Sequence, residues 1–352
     1  MNKSKTMRHF LKFMICLLIS ILLGIFLYCC VDNKYIIIKK NFLSSAIPIQ
    51  RDSQILDDGK YVYLLDFEKY REEFPHLQDY KCKMISEPKQ LCGRTKSSMT
   101  LILAIKSHPD SFDRRHALRQ TWAQPQVIDN FHIKPTFLMA TIENKTKMAM
   151  VEIEVSQYQD ILQWDFTESH TNLSLKEYCF LEWMMYNCVV DFVFKGDDDE
   201  FVYPPAIVKY LKRTPDVTSY IHGNLRVHTE VLRGGKYKIS HHLYSMNVLP
   251  TFVSGAGFII PGILIPPLYR AATVLPVFPL DDVYFGFLAI KANVTLKHGH
   301  GFYCWGVRFD ACKYQNALII HSVIENDVNG MSPKTLLDVW GKVIKQKNCI
   351  EV

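Results

Sequence analysis

The densest chemistry in this chain lies at residues 189–200, VVDFVFKGDDDE. Residues 189–194, with Asp191 their one charge, have the composition of a β-strand. Lys195 and Gly196 follow, and then Asp197, Asp198, Asp199 and Glu200 stand in a row. In an open α/β sheet, ligands bind beyond the carboxyl ends of the strands. Consecutive aspartates there repel one another unless a positive charge sits among them. Mg²⁺ or Mn²⁺, hard cations that prefer carboxylate oxygen, would supply it. A solvated acidic loop between strand and helix is the competing account, and composition alone does not separate the two.

Three other groups could join such a site. Asp281 and Asp282 open a helix predicted from residue 278 onward. Acidic residues suit a helix start, where one can cap the free N–H groups; the second is then a candidate general base. His321 ends the apolar run 317–320, again where a strand would meet a ligand crevice, although a lone histidine is more often structural. Arg115 and Arg119 stand one turn apart on a helix predicted over 112–122. Guanidinium forks match phosphate oxygens; surface ion pairs on an exposed basic helix are the alternative.

The elements that must position these groups alternate. Strands are expected at 99–107, 135–141, 189–194, 218–222 and 317–320, with a short turn or strand within 158–166. Helices are expected at 112–122, 172–187 and 203–211, from 278 onward, and from Pro333 behind an N-cap at Ser332. This pattern predicts an α/β fold with a mostly parallel sheet flanked by helices. The glycine-rich run 253–261 reads either as a close approach of backbone to ligand or as a turn ahead of a strand.

The chain has 352 residues, 48% hydrophobic and 22% charged, which suits a substantial folded core. Residues 10–31 are nearly all apolar, with Lys12 as their only charge, and Lys3, Lys5 and Arg8 precede them. The run is long enough to span a bilayer and too long for a typical signal-peptide core, and no small-residue cleavage site follows it. An uncleaved anchor with a cytoplasmic N-terminus is the expectation. The domains then read as a tail at 1–9, an anchor at 10–31, a stem at 32–95 and a luminal catalytic domain at 96–352. The net charge of +6 is moderate, and no nucleic-acid partner is expected. Asn144, Asn172 and Asn293 begin glycosylation sequons. Seven of the ten cysteines follow the anchor, an odd number that leaves at least one thiol outside an internal disulfide. Cys82 and Cys92 are near enough in sequence to staple a small loop.

The segments RRHALRQTW (114–122), FVFKGDDDEFV (192–202), FVSGAGF (252–258) and LDDVYFG (280–286) together resemble the β-1,3-glycosyltransferases of glycosyltransferase family 31. Residues 159–177, 319–322 and 336–343 look most like its β-1,3-N-acetylglucosaminyltransferase branch. The resemblance runs in order from about residue 99 to 349. It implies a GT-A fold, a single-pass type II protein of the Golgi membrane, and inverting transfer from a UDP-sugar to a glycan acceptor. By motif, Asp199 would bind Mn²⁺ with His321 as a second ligand. Asp197, Asp198 and Lys195 would face the nucleotide or donor sugar, Arg115 and Arg119 the nucleotide, and Asp282 would be the base. Its place at a helix N-terminus predicts a low pKa for Asp282. The same mechanism with UDP-galactose, and a non-catalytic carbohydrate-binding protein, are the rival readings. The chain departs from the branch at residues 249–252, at the Gly255-Ala256-Gly257 turn and at Cys179 and Cys304. These departures bear on acceptor choice.

Overall fold

The computed structural model describes residues 53–92, 98–325, 329–347 and 349. The apolar run 10–31 lies outside them, and among the described residues no helix is long and apolar enough to cross a membrane. In chain order the elements begin with β1 (Gln54–Asp57), β2 (Val62–Leu65), α1 (Phe67–Glu73), α2 (Pro75–Gln78), β3 (Met84–Ser86), β4 (Met99–Lys106) and α3 (Phe112–Arg119). Next come β5 (Gln126–Ile128), β6 (Phe131–Thr141), α4 (Lys145–Tyr158), β7 (Ile161–Thr167), α5 (Leu173–Asn187), β8 (Phe192–Asp197), β9 (Phe201–Val202) and α6 (Pro204–Arg213). The rest are β10 (Tyr220–Arg226), β11 (Phe252–Pro261), α7 (Ile265–Val274), α8 (Asp281–Ala292), β12 (Thr295–His298), β13 (Phe302–Gly306), α9 (Ala311–Asn316), β14 (Ile319–Ser322) and α10 (Pro333–Lys345).

The main sheet runs β12-β10-β11-β8-β4-β6-β7-β3, with β5 paired to β6. Its interior strands β8, β4, β6 and β7 are parallel. β11, β3 and β5 join antiparallel. The sheet is therefore mixed, a correction to the mostly parallel expectation. The reason lies in residues 227–251, which join β10 to β11 without a helix. A parallel return needs a crossover, and this chain turns back on itself instead. The glycine-rich run is no turn: it is strand β11, with Gly257 opposite Gly196 of β8.

Strand β4 shows why the interior strands read as unbroken apolar runs. Leu101, Leu103 and Ile105 belong to the core shared with α3, α6 and α10. Ile102 and Ala104, pointing the other way, belong to the core shared with α5, α7 and α8. Part of the segment expected as stem is built into this second core. Leu56, Tyr63, Leu65 and Tyr70 are buried there, and Tyr63 meets Phe287 of α8 edge-on at 5.7 Å.

Three disulfides tie the chain: Cys82–Cys179, Cys92–Cys188 and Cys312–Cys349. The Cys82–Cys92 staple is thus incorrect. The extended strand β3 lies between those two cysteines, and each reaches α5 or its C-terminal end separately. Cys304 is the free cysteine among the described residues.

Candidate active site

Pairing sets the site. β4 and β8 run in parallel register with Lys106 opposite Asp197, at the carboxyl ends of both strands. Lys106 is buried, and its Nζ lies 3.1 Å from Asp197 Oδ1 and 2.7 Å from Asp281 Oδ2. One lysine therefore joins the aspartate row to the acidic start of α8. Sequence reasoning missed it; its signal was a cation closing an otherwise apolar strand.

Asp198 accepts hydrogen bonds from Ser107 Oγ at 2.6 Å and Arg114 Nη1 at 2.9 Å. The same Arg114 nitrogen is 3.1 Å from Asp199 Oδ2. Arg119 does not reach the cluster and Arg115 touches it only through Ser107, whose Oγ accepts from Arg115 Nη1 at 3.0 Å; neither guanidinium pairs with the aspartates, a second correction. Arg115 is fully buried, donates twice to Glu154 and also binds the carbonyls of His108 and Pro109. Arg119 is held by Glu154 and by both carboxylate oxygens of Asp160. The cause is helical phase: one residue is about 100° of rotation, so the arginine facing β8 is Arg114, while its neighbours face α4 and the start of β7. Lys195 is likewise turned away. It projects to the α5 side of β8, fully buried, 2.8 Å from Glu177 and over the ring of Phe180.

Asp199 and His321 do come together. β9 pairs antiparallel with β14, placing Phe201 opposite Ile320. The residues flanking that pair then converge, and ligand atoms of Asp199, Glu200 and His321 lie within 4.8 Å of one another. His321 Nδ1 and Glu200 Oε1 are buried with no hydrogen-bond partner. Two carboxylates and an imidazole with orphaned lone pairs suit a divalent cation such as Mn²⁺. Burial, reinforced by the charges of Asp197 and Asp199, raises the Glu200 carboxyl well above its ordinary range.

The carboxylates at the start of α8 are split by their surroundings. Burial alone would raise Asp281, but the charge and hydrogen bond of Lys106 outweigh it and hold this group below its usual value. Asp282 is pushed up to about 7 by burial and then by the charge of Asp281. The expected depression by the helix terminus is overturned: Asp282 Oδ1 does accept the Val283 N–H at 2.8 Å, and that bond is too weak to prevail. Gly255 of β11 passes so close that a Cβ there would stand 3.3 Å from Asp282 Cβ.

Asp282, Asp281, Lys106, Asp197 and His321 all line one cleft of about 590 Å³, within the size range of small-molecule sites. The 227–251 connection forms another wall with Lys236 and Tyr237. Arg233 organises this connection, donating to the carbonyls of Ile239, Ser240, Tyr244 and Met246. Leu249 and Phe252, from the segment expected near the acceptor, line the same cleft.

Residues 113–300 match the family model described as Galactosyltransferase. The chain is 30% identical over 285 residues to the Rattus norvegicus UDP-GlcNAc:betaGal beta-1,3-N-acetylglucosaminyltransferase 7, covering 76% of this chain and 68% of that protein. It is 31% identical over 276 residues to the Homo sapiens N-acetyllactosaminide beta-1,3-N-acetylglucosaminyltransferase 3, covering 74% and 72%. A solved galactosyltransferase, LgtC with donor and acceptor sugar analogues, aligns with 69% of this chain and 96% of its own at 14% identity and a TM-score of 0.37. The chain is a glycosyltransferase. It belongs to the galactosyltransferase family, glycosyltransferase family 31.

Proposed function

We propose that this enzyme is an inverting β-1,3-N-acetylglucosaminyltransferase of GT-A type, moving GlcNAc from UDP-GlcNAc to a galactose-terminated glycan on protein or lipid. The observation that carries the reading is Asp282, a carboxylate poised near neutrality in the cleft that Asp197 and His321 also line. Similarity to the rat and human enzymes supports the donor and the linkage.

Asp282 takes the proton of the acceptor 3-hydroxyl as that oxygen bonds to the anomeric carbon. The bond from that carbon to UDP breaks on the opposite face, and UDP leaves with the electron pair. One displacement converts an α-linked donor to a β product. A carboxylate near 7 is a stronger base than an ordinary aspartate and is still substantially ionised at physiological pH. Lys106 keeps Asp281 charged and holds the start of α8 against the aspartate row. Ser107 and Arg114 fix Asp198, and Arg114, partly exposed, is the arginine placed to meet a diphosphate. Asp199 and His321 would hold Mn²⁺. When bound, that ion would neutralise the diphosphate and favour its departure.

A single-pass type II placement in the Golgi membrane belongs to the same reading. The apolar run 10–31 supports it, as do three disulfides, which persist in oxidising compartments. Asn144 and Asn293 are exposed, whereas Asn172 is buried with its amide donated to the Thr167 carbonyl. Recovery of the chain from a secretory host with no glycan on Asn144 or Asn293, and with a cytoplasm-accessible C-terminus, would overturn the placement.

The functional test is a donor panel with the purified full chain, Mn²⁺ and a galactose-terminated acceptor. UDP-GlcNAc should be the preferred donor, with a β-1,3 product by NMR. Preference for UDP-galactose would overturn the donor assignment and keep the mechanism.

A further inference from the structure

Four carboxylates are buried among the described residues: Glu154, Glu177, Asp198 and Glu200. Three face a cation. Glu154 meets Arg115 at 2.7 Å, Glu177 meets Lys195 at 2.8 Å, and Asp198 meets Arg114 at 2.9 Å. Glu200, with no exposed surface, has no ion-pair partner among the described residues. Its Oε2 receives one N–H, from Asp197 at 3.3 Å, and its Oε1 receives none. A buried carboxylate without a compensating charge is costly, so Glu200 is neutralised either by a proton or by a cation from outside the chain.

We propose that Glu200 is a third protein ligand of the metal centre, so that this enzyme holds a divalent cation before any sugar nucleotide arrives. The inference rests on Asp199 and His321 serving as metal ligands, as proposed above. Several features place Glu200 with them. Its ligand atom falls in the same 4.8 Å cluster. On the neighbouring histidine of that cluster, His321 Nδ1 is also buried and unpaired. The backbone carrying Glu200 is fixed from behind, where its carbonyl accepts the Trp122 indole N–H at 2.9 Å. Gly196 leaves room for the carboxylate, since a Cβ there would stand 3.2 Å from Glu200 Oε2.

The consequence follows from charge. Asp199 and His321 alone offer one negative ligand and depend on a diphosphate to complete the site. A second carboxylate raises the ligand charge, which is a main determinant of affinity for divalent cations. The metal then resides in the enzyme between turnovers, and the nucleotide binds to a site already loaded.

The test is Mn²⁺ alone, titrated into the full chain without nucleotide and followed by loss of the free-ion electron paramagnetic resonance signal. Thermal unfolding with and without Mn²⁺ is measured alongside. The wild type should bind and gain thermal stability from the metal. Glu200→Gln retains an acceptor for the Asp197 N–H and should fold as well as wild type without metal. It should bind Mn²⁺ at least ~10-fold more weakly, since even groups supporting a ligand are worth roughly ten- to hundredfold. Added UDP should restore part of the loss. Glu200→Asp, which keeps the charge with a shorter reach, should lie between. Unchanged Mn²⁺ affinity in Glu200→Gln, or in Glu200→Asp if the first variant does not fold, would overturn the assignment. A wild type that binds Mn²⁺ only with UDP yet transfers sugar would overturn this inference while leaving the transferase reading intact. Unchanged metal binding in Asp199→Asn would remove the metal site itself.

Discussion

Replacing Asp282 by Asn separates what this residue does for folding from what it does for the reaction. The amide oxygen can still receive the Val283 N–H, so the change deletes a charge and little else. Unfolded, the carboxyl titrates near its ordinary 3.8; folded, it is pushed up to about 7. Between those values the folded chain keeps a proton that the unfolded chain has lost. The aspartate therefore costs no stability below about pH 4, costs progressively more as pH rises, and reaches its full penalty above about 7. At about 1.4 kcal/mol per pH unit the ceiling is roughly 4 kcal/mol. Asp282 is only partly buried, and solvent screening reduces this to on the order of 1–2 kcal/mol. Asp282→Asn should thus melt a few degrees above wild type at pH 8 and together with it near pH 4. Its transfer rate should fall by about 10²–10⁴-fold, the usual worth of a general base. UDP binding in the presence of Mn²⁺ should persist. Thermal unfolding at the two pH values, initial rates and calorimetric UDP titration make the test. A variant no more stable than wild type at pH 8, or one that transfers within tenfold of it, would refute the argument.

Two further outcomes follow from the same electrostatics. Lys106→Met removes the cation that lowers Asp282, so the acid limb of kcat/KM, near pH 7 in the wild type, should move to higher pH; stability should fall by roughly 3–5 kcal/mol because Asp197 and Asp281 lose their partner. An unmoved limb in folded protein would show that Lys106 does not tune the base. Arg115→Ala breaks a fully buried ion pair and should also cost roughly 3–5 kcal/mol, leaving the donor KM of the folded enzyme unchanged. A selective rise in donor KM at unaltered melting temperature would return Arg115 to the nucleotide side.

The elements that failed to show in the sequence failed for identifiable reasons. Helix α4 has just Val151 and Glu154 buried, so its apolar residues mark no continuous face. Helix α7 carries Pro266 and Pro267 in its first turn, which reads as a break although proline is tolerated there. Strand β11 hides behind its glycines, which serve a close approach: a Cβ at Gly257 would stand 2.5 Å from Ile319 Cδ1. By contrast β4, α5 and the Ser332–Pro333 start of α10 were legible. An apolar run of strand length, a helical repeat and a cap are all local signals.

What the sequence determined by itself was the set of reactive groups and the kind of frame that carries them. The aspartate row at a strand end, the acidic start of α8 and the histidine that follows the apolar run of β14 could all be named in advance, because each sits at a boundary that local hydrophobic pattern reveals. Tertiary structure alone decided which groups meet and in what charge state. Helical phase chose Arg114 over Arg115 and Arg119. Strand alternation sent Lys195 to Glu177. The register of β4 against β8 brought Lys106 between Asp197 and Asp281, and the pairing of β9 with β14 left Glu200 beside His321. The split between Asp281 and Asp282 is likewise a property of the folded chain: burial lifts Asp282 against the pull of the helix terminus, while at Asp281 a lysine 175 residues away in sequence, acting over 2.7 Å, outweighs burial.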